Sequence, residues 1–279
     1  MREIACDSIR DAVRLLFLEA CTAPADGVTG LLADARQGET LPHAREILAQ
    51  LIENNGIAQR ERTPACQDTG MAVVFADIGQ DAHVVGGFFG DAVEEGVRQA
   101  YADGYLRKSV LDPLTRKNTG DNTPAVIHER IVPGDRIKLW TLPKGFGSEN
   151  MSRIAMLSPS AGVDGVMDFV VDCASGAGGS PCPPVFLGVG VGGTFESCAM
   201  LSKRQLLREV GACSPDPQLA EMEAELKRRI NALGMGPMGM GGNTYCLEVR
   251  VGKEPTHIAA LPVAVNFCCH MLRHAVAEL

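Results

Sequence analysis

Three cysteines of this 279-residue chain lie in local sequences that could hold a metal. Cys66 is in "PACQDTG", Cys182 is in "SPCPP" and Cys269 is in "PVAVNFCCHMLR". Each lies in or beside a predicted loop or helix start, where backbone amides can turn toward sulfur. Thiolates hold iron–sulfur clusters, and hydrogen bonds to the sulfurs tune them. The three are far apart in sequence, so no spacing rule predicts that they meet. Buried apolar filler is the alternative role of each thiol.

Other polar side chains allow both a site role and a structural role. Asp68 and Asp121 could be catalytic acids. They could also form turns, which is a natural role of Asp. Arg107 could hold a carboxylate through two parallel hydrogen bonds, whereas Lys108 and Arg116 could be solvated charges. His257 lies in a strand-like run, where a histidine is more often a hydrogen-bonded core residue than a catalyst. The residue types alone leave these alternatives open.

Three glycines in "SPCPPVFLGVGVGGTFE" match the G-x-G-x-x-G pattern of a dinucleotide-binding turn: Gly188, Gly190 and Gly193. Such a turn opens a strand–helix–strand unit and is followed about 20 residues later by an acid that holds the ribose. Glu209 lies at roughly that distance, but inside a predicted helix. The pattern therefore favours a packing corner, where glycines let a strand and a helix come close, and nucleotide binding is the alternative.

The composition is that of a globular chain, with 46% hydrophobic and 22% charged residues. A formal net charge of -8 favours neither nucleic acid nor an anionic membrane as a partner. Ten cysteines, none in a C-x-x-C pair, indicate reduced thiols rather than a disulfide framework. The segment "MREIACDSIRDAVRLLFLEA" predicts an amphipathic helix rather than a signal peptide. We therefore expect a cytoplasmic protein.

The pattern of apolar residues predicts an α/β fold: a mixed sheet with surrounding helices, a helical N-terminal region and a single domain over residues 1–279. Helices are expected within 1–60, near 91–104, 163–172, 195–209 and 217–233, and from about 268 onward. Strands are expected after residue 70, around a Pro-Gly-Asp turn, before the glycine pattern, and at 245–251 and 256–265. Residues 107–124 lack periodicity and predict a surface excursion or a site loop. The loosest stretch is "GMGPMGMGGN".

Six segments, taken in order, resemble the α-subunit, or N-terminal domain, of class I fumarases: "PACQDTG", "LRKSVLDPLTRKNTGDNTPAVIH", "KGFGSEN", "CPPVFLGVGVGGTFE", "LGMGPMGMGGNT" and "PTHIAALPVAVNFCCHMLRHA". The resemblance spans roughly residues 4–275. It implies a [4Fe–4S] cluster held by three cysteines: Cys66, Cys182 and Cys269. The register from Pro262 to Arg273 puts the last ligand on Cys269 rather than on Cys268. Three ligands leave one iron open to act as a Lewis acid on the substrate hydroxyl.

The same resemblance implies how the substrate is held. It implies three substrate-binding residues: Gln67, Arg107 and Gly147. It also implies two catalytic residues: Asp68 and His257. Asp68 would take part in proton transfer to or from the departing hydroxyl, and His257 would donate to the substrate or to Asp68. Gly147 belongs to "KGFGSEN", where a bare backbone amide can approach an anion, and Phe146 stands there in place of a glycine usual in the family.

A second domain closes the active site in the family. The resemblance therefore implies an α-subunit that holds the cluster alone, has little activity alone and needs a separate β subunit, in an α2β2 assembly or a homodimer. "RKNTGDNTPAVIH" and "KGFGSEN" look more like fumarase than like the L(+)-tartrate dehydratase α-subunit. The expected reaction is therefore the hydration of fumarate to L-malate, with tartrate dehydration as the alternative. A nucleotide-binding or structural protein with non-ligating thiols is the alternative from another class.

Overall fold

Helices and strands alternate along the chain, which confirms the predicted α/β class. The computed structural model describes residues 2–279. Their strands form two four-stranded mixed sheets and one two-stranded sheet, rather than a single sheet. The chain divides into two units, which are described separately. Unit 1 comprises Met1–Ala25, Asn55–Phe146 and Arg273–Leu279, and unit 2 comprises Asp26–Asn54 and Gly147–Leu272.

Unit 1 is built around strand β2 (Met71–Gly79), whose residues are almost all buried. On one side β2 pairs with the parallel strand β4 (Val126–Val132), and on the other with the antiparallel strand β5 (Ile137–Lys144). At the edge, β10 (Ala275–Glu278) pairs antiparallel with β5. Helices α1 (Cys6–Thr22) and α4 (Phe89–Asp103) bury their apolar faces in this core, and β1 (Arg2–Ala5) and β3 (Ala82–Val85) form the small parallel sheet.

Unit 2 is built around strand β7 (Val185–Gly192), which pairs with the parallel strand β8 (Cys246–Glu254) and the antiparallel strand β9 (Leu261–Cys268). At the edge, β6 (Arg153–Leu157) pairs antiparallel with β9. Helices α6 (Gly162–Ala177) and α8 (Pro217–Asn231) cover the sheet with apolar side chains, and α7 (Phe195–Gln205) packs on β7 and β9. The remaining helices along the chain are α2 (Val28–Gly38), α3 (Pro42–Glu61) and the short α5 (Phe146–Glu149).

The first two glycines of the pattern lie within a strand, and Gly193 follows that strand in a bend. Gly188 and Gly190 belong to β7, and a methyl group on them would come within 2.0 Å of the Ser202 carbonyl oxygen and 2.4 Å of the Cys198 carbonyl oxygen, respectively. Both carbonyls belong to α7, which therefore packs directly on the backbone of β7. The predicted close approach of a strand and a helix at these glycines is confirmed, although two of the glycines lie in the strand itself.

Two predictions near the C-terminus are wrong. The helix expected from about 268 is absent from the described residues: β9 ends at Cys268 and β10 forms at Ala275–Glu278. Residues of the "HAVAEL" segment have reasonable helix propensity, but pairing with β5 outweighs that weak local preference. The strand expected at 256–265 begins only at Leu261, so His257 lies in a loop after β8. Among residues 2–279, no helix is both long enough and apolar enough to span a membrane.

Candidate active site

The loop of residues 66–70 leads into β2, and backbone groups of unit 1 hold its acid in place. Asp68 accepts hydrogen bonds from the Gly70 amide at 3.0 Å through one carboxylate oxygen and from the Phe146 amide at 2.8 Å through the other. The Arg273 guanidinium donates to the Asp68 carbonyl and, at 3.0 Å, to the Pro143 carbonyl. These bonds fix both the position of the loop and the direction of the carboxylate.

Buried polar side chains support the same loop from within unit 1. The Tyr101 hydroxyl lies 2.9 Å from the carbonyl oxygens of both Thr69 and Gly70. Asn122, which is fully buried, donates to the Gly70 carbonyl at 3.2 Å. Gly70 has φ +81°, and a methyl group there would come within 2.7 Å of the Lys144 backbone nitrogen. Only glycine fits this turn without strain, so the loop is fixed at its exit into β2.

Three further residues from the sequence prediction lie on or beside this loop. The half-buried Cys66 accepts a hydrogen bond from the Asp68 amide to its sulfur at 3.4 Å. Gln67 is exposed. The exposed Arg107 is tied to the loop through its carbonyl oxygen, which accepts a hydrogen bond from the Thr69 hydroxyl at 3.1 Å. Unit 1 therefore brings together Cys66, Gln67, Asp68 and Arg107.

In unit 2, a backbone hydrogen bond joins the loops that carry the other two predicted cysteines. The His270 amide donates to the Cys182 carbonyl at 3.3 Å, so the residue after Cys269 lies against Cys182. Cys182 is exposed and has φ +54°, a left-handed conformation that is costly for any residue but glycine. Cys268 is buried at the end of β9 opposite Phe186, whereas Cys269 is half-buried beyond the strand. This geometry favours Cys269 over Cys268 as a ligand.

The stretch predicted to be the loosest in the chain packs closely against the Cys182 loop. The Met238 amide donates to the Pro183 carbonyl at 2.9 Å. A methyl group on Gly239 would come within 2.6 Å of the Gly179 Cα, and Gly236 and Gly241 approach each other similarly. Glycines here permit close contact between backbones rather than freedom of movement. The glycine-rich composition indicated a loop but carried no signal for this contact.

The remaining predicted residues of unit 2 lie at opposite ends of the sheet. Gly147 is exposed, and a methyl group on it would lie 3.5 Å from the carbonyl oxygen of Ser180, close to Cys182. His257 is exposed in the loop after β8, and the nearby Pro255 carbonyl accepts a hydrogen bond from the Gly193 amide, beyond the far end of β7. Cys182 precedes the other end of that strand, about 25 Å away for eight residues. Unit 2 does not bring His257 to Cys182.

Three other charged residues from the sequence prediction show no sign of a catalytic role: Asp121, Lys108 and Arg116. Asp121 accepts hydrogen bonds from the Thr123 amide at 3.0 Å and from Arg98 at 3.1 Å, as expected of a turn-forming acid. Lys108 is half-buried and Arg116 is exposed, and neither side chain has a hydrogen bond or ion pair among residues 2–279. Of the two acids singled out in the sequence, Asp68 is the one beside a cysteine.

The described residues contain no preformed group of three or more His, Cys, Asp or Glu side chains able to hold a metal ion. The local chemistry of the cysteine loops nevertheless fits thiolate ligation. An amide donates to the Cys66 sulfur, as is common around cluster sulfurs. In unit 2, a backbone hydrogen bond joins the loops that carry Cys182 and Cys269, and Cys182 is exposed.

Sequence reasoning missed the residues that hold the 66–70 loop. Arg273 reaches it from the C-terminal segment and Tyr101 from α4, through side chains distant in sequence. Asn122 gave a weak signal, because Asn often adopts a left-handed turn conformation, and here it has φ +65°. Nothing in the local sequence indicates which backbone carbonyls these side chains contact.

Comparisons with known proteins agree on one family. The sequence model of "Fumarate hydratase (Fumerase)" matches residues 10–278. The chain is 38% identical to the "Putative L(+)-tartrate dehydratase subunit alpha" of Methanocaldococcus jannaschii, over 97% of both chains. It is 31% identical to the "L(+)-tartrate dehydratase subunit alpha" of Escherichia coli strain K12, over 96% of this chain and 89% of that one. The chain therefore belongs to the fumarate hydratase family of hydro-lyases, as its motifs predicted.

Proposed function

We propose that this chain is the α subunit of a [4Fe–4S]-dependent hydro-lyase that reversibly hydrates fumarate to L-malate. The observation that carries the proposal is the 66–70 loop. It displays a cysteine, an oriented carboxylate and, through Thr69, a nearby arginine. Addition of water to a dicarboxylate needs an electrophile for the hydroxyl, cations for the carboxylates and a group that moves protons. Arg107 offers a cation for a carboxylate, and Asp68 offers the group that moves protons. Both lie beside the Cys66 thiol, which can hold the electrophile.

Cys66, Cys182 and Cys269 are the residues that would hold the cluster. The cluster supplies a Lewis acid for the substrate hydroxyl when it is bound, because three protein ligands leave one iron open. Two observations support this ligand set. The Asp68 amide donates a hydrogen bond to the Cys66 sulfur, and a backbone hydrogen bond joins the loops that carry Cys182 and Cys269. Reduced thiols of this kind fit the cytoplasmic location predicted from the sequence.

The other proposed residues act on the substrate directly. Asp68 exchanges a proton with the hydroxyl, since two backbone amides hold its carboxylate in one direction. Arg107 and Gln67 bind carboxylate groups, and the exposed Gly147 offers its backbone amide. His257 remains a predicted active-site residue. Because it lies at the far end of β7 from Cys182, this role requires that it reach the substrate from another direction.

L(+)-tartrate is the second candidate substrate. The two relatives described above are named as L(+)-tartrate dehydratase subunits, and both match almost the whole chain. Their names also call them alpha subunits, which supports a separate β subunit for this chain, in an α2β2 assembly or as part of a homodimer. The 116–128 and 144–150 segments favour fumarate, on their resemblance to the fumarase form.

Anaerobic assays of the chain together with a β-type subunit test the reaction. We expect hydration of fumarate at an ordinary enzyme rate, little dehydration of L-tartrate, and little activity of the chain alone. A preference for tartrate would replace the proposed substrate with the second candidate. Full activity of the isolated chain would contradict the requirement for a β subunit.

Cysteine replacements test the cluster. We expect Cys66→Ser, Cys182→Ser and Cys269→Ser each to lose the visible absorption and the iron, about four atoms per chain for a cubane. Cys6→Ser and Cys213→Ser are the controls and should retain both. If Cys268→Ser loses the iron and Cys269→Ser keeps it, the register of the last ligand is wrong. Wild-type protein that stays colourless and iron-free after anaerobic reconstitution would contradict the cluster and favour non-ligating thiols.

A further inference from the structure

Residues 110–119 form a hairpin that extends from unit 1, within the segment predicted to be a surface excursion or site loop. Leu111 and Asn118 form an antiparallel bridge. The Asp112 amide donates to the Lys117 carbonyl and the Arg116 amide to the Asp112 carbonyl, both at 2.9 Å. This segment, called the 110–119 hairpin below, is an ordered element and not an irregular loop.

The Asp112 carboxylate stiffens the tip of the 110–119 hairpin. One of its oxygens accepts hydrogen bonds from the Thr115 amide at 2.6 Å, the Thr115 hydroxyl at 2.8 Å and the Leu114 amide at 3.0 Å. The base is held by the buried Asn122, which accepts from the Ser109 amide at 2.7 Å and donates to the Gly70 carbonyl. The hairpin is therefore fixed to the 66–70 loop through one side chain.

The surface of the 110–119 hairpin and the turn before it combines exposed apolar side chains with positive charge. Leu114 and Tyr105 are each 91% exposed, which is much for large apolar side chains in ordered segments. Residues 105–119 contain a single acid, Asp112, and four basic residues: Arg107, Lys108, Arg116 and Lys117. The chain as a whole carries a net charge of -8. The hairpin thus presents positive charge beside exposed apolar groups.

We propose that the 110–119 hairpin docks onto the companion β subunit, on an acidic face with an apolar recess for Leu114. The inference rests on the heteromeric assembly in the proposed function. Large apolar side chains on a rigid protrusion gain most when a partner covers them, and opposite charges at the rim speed and orient docking. Because Asn122 ties the hairpin to Gly70, this contact brings the β subunit beside Asp68.

The alternatives explain less of the surface. A small dianion would use the basic groups but would leave Leu114 and Tyr105 exposed to water. A second copy of this chain would also bring an acidic surface, but a contact between two α chains gives no reason for the hairpin to be tied to the proposed substrate loop. Self-association through the hairpin is therefore a distinguishable outcome of the test.

Equilibrium binding tests the docking without any activity measurement. The chain is mixed anaerobically with the β-type subunit of this family from the same genome, and the affinity is measured by sedimentation at low and high salt. We expect R116E/K117E to weaken binding about tenfold or more and to flatten its salt dependence. Leu114→Ser should weaken binding at all salt concentrations. Neither variant should alter circular dichroism or iron content, since these side chains are exposed.

The control is R36E/K227E, which makes the same change in charge at two exposed basic residues elsewhere, on α2 and α8. It should bind the β subunit within about twofold of wild type. Equal binding by wild type and R116E/K117E, or no complex with wild type, overturns the proposal. So does self-association of the chain that R116E/K117E abolishes, which would assign the hairpin to a second copy. A wild-type chain that binds the β subunit but has no hydratase activity or no iron would instead contradict the proposed function.

Discussion

Cys21 shows how burial separates the thiols of this chain by reactivity. Its side chain lies beneath the 66–70 loop, with sulfur 3.9 Å from the Thr69 carbonyl oxygen, and burial raises its pKa to about 11. At pH 8 only about one molecule in 1,000 then carries the reactive thiolate. We expect iodoacetamide to modify Cys21 far more slowly than the exposed Cys213 in the apo protein, as followed by peptide mass spectrometry. Similar rates in the folded protein would contradict the burial of Cys21.

Asp68 is the residue whose replacement best separates chemistry from structure. An amide in Asp68→Asn has one acceptor oxygen, whereas the carboxylate accepts from the Gly70 amide on one oxygen and from the Phe146 amide on the other. We expect the variant to lower kcat/KM for fumarate about 100-fold or more in the assembled enzyme. One backbone donor also loses its acceptor, which costs about 1–3 kcal/mol of stability. Unchanged kcat/KM would remove Asp68 from the proton transfer.

At the scale of elements, the two cysteine-bearing loops occupy equivalent places in their own sheets. The Cys66 loop leads into β2 and the Cys182 loop leads into β7, and each of these strands lies between one parallel and one antiparallel neighbour. In both units, the loop after the antiparallel neighbour donates a backbone amide to the cysteine-bearing loop: Phe146 to Asp68 and His270 to Cys182. One strand arrangement thus supports both sets of proposed ligands.

The contact between β7 and α7 depends on glycine, so a single methyl group should disrupt it. In Gly190→Ala the new carbon would meet the Cys198 carbonyl oxygen at 2.4 Å, a backbone atom that cannot move aside alone. We expect a loss of about 3 kcal/mol in the free energy of unfolding, measured in urea. The control is Gly176→Ala in α6, where nothing lies within 4 Å of the new methyl group. It should be neutral or stabilising by up to about 1 kcal/mol.

Acid should release the tip of the 110–119 hairpin. Hydrogen bonds from the Thr115 amide and hydroxyl hold the pKa of Asp112 below its ordinary value. The stabilisation is therefore fully present above the unfolded pKa of about 3.9 and is lost as pH falls through the lower folded value. Protection of the Leu114 and Thr115 amides from hydrogen exchange, corrected for intrinsic rates, should be present at pH 7 and should fall as the pH drops below the unfolded pKa of about 3.9. Asp112→Asn should weaken the protection at pH 7 and should remove most of its dependence on pH.

Sequence reasoning succeeded where the signal is local and periodic. The spacing of apolar residues indicated α1, and the helices predicted near 91–104 and 217–233 correspond to α4 and α8; each of the three buries one face. It failed for β10, whose backbone bonds come from β5, and for the support of the 66–70 loop, where Tyr101 and Arg273 reach carbonyls far along the chain. These are tertiary contacts, and periodicity carries no information about them. The motifs indicated the candidate residues of the site, but not what holds them.

At the scale of the whole molecule, the proposed ligands come from both units. Cys66 belongs to unit 1, and Cys182 and Cys269 belong to unit 2. A cluster held by residues so distant in sequence would bind only the folded chain, so binding of the proposed cluster would be thermodynamically linked to folding.

If the proposed cluster is bound in this way, its removal should lower the thermal stability of the chain. A ligand that binds only the folded state at about 100 times its dissociation constant stabilises it by about 2.7 kcal/mol, which corresponds to about 5 °C or more in a chain of this size. We expect anaerobically reconstituted protein to melt at a higher temperature than protein treated with an oxidant and a chelator. Cys66→Ser, which lacks one proposed ligand, is the matched control and should show no difference between the two treatments. Equal melting temperatures for the two wild-type forms would show that the cluster does not bridge residues brought together by folding.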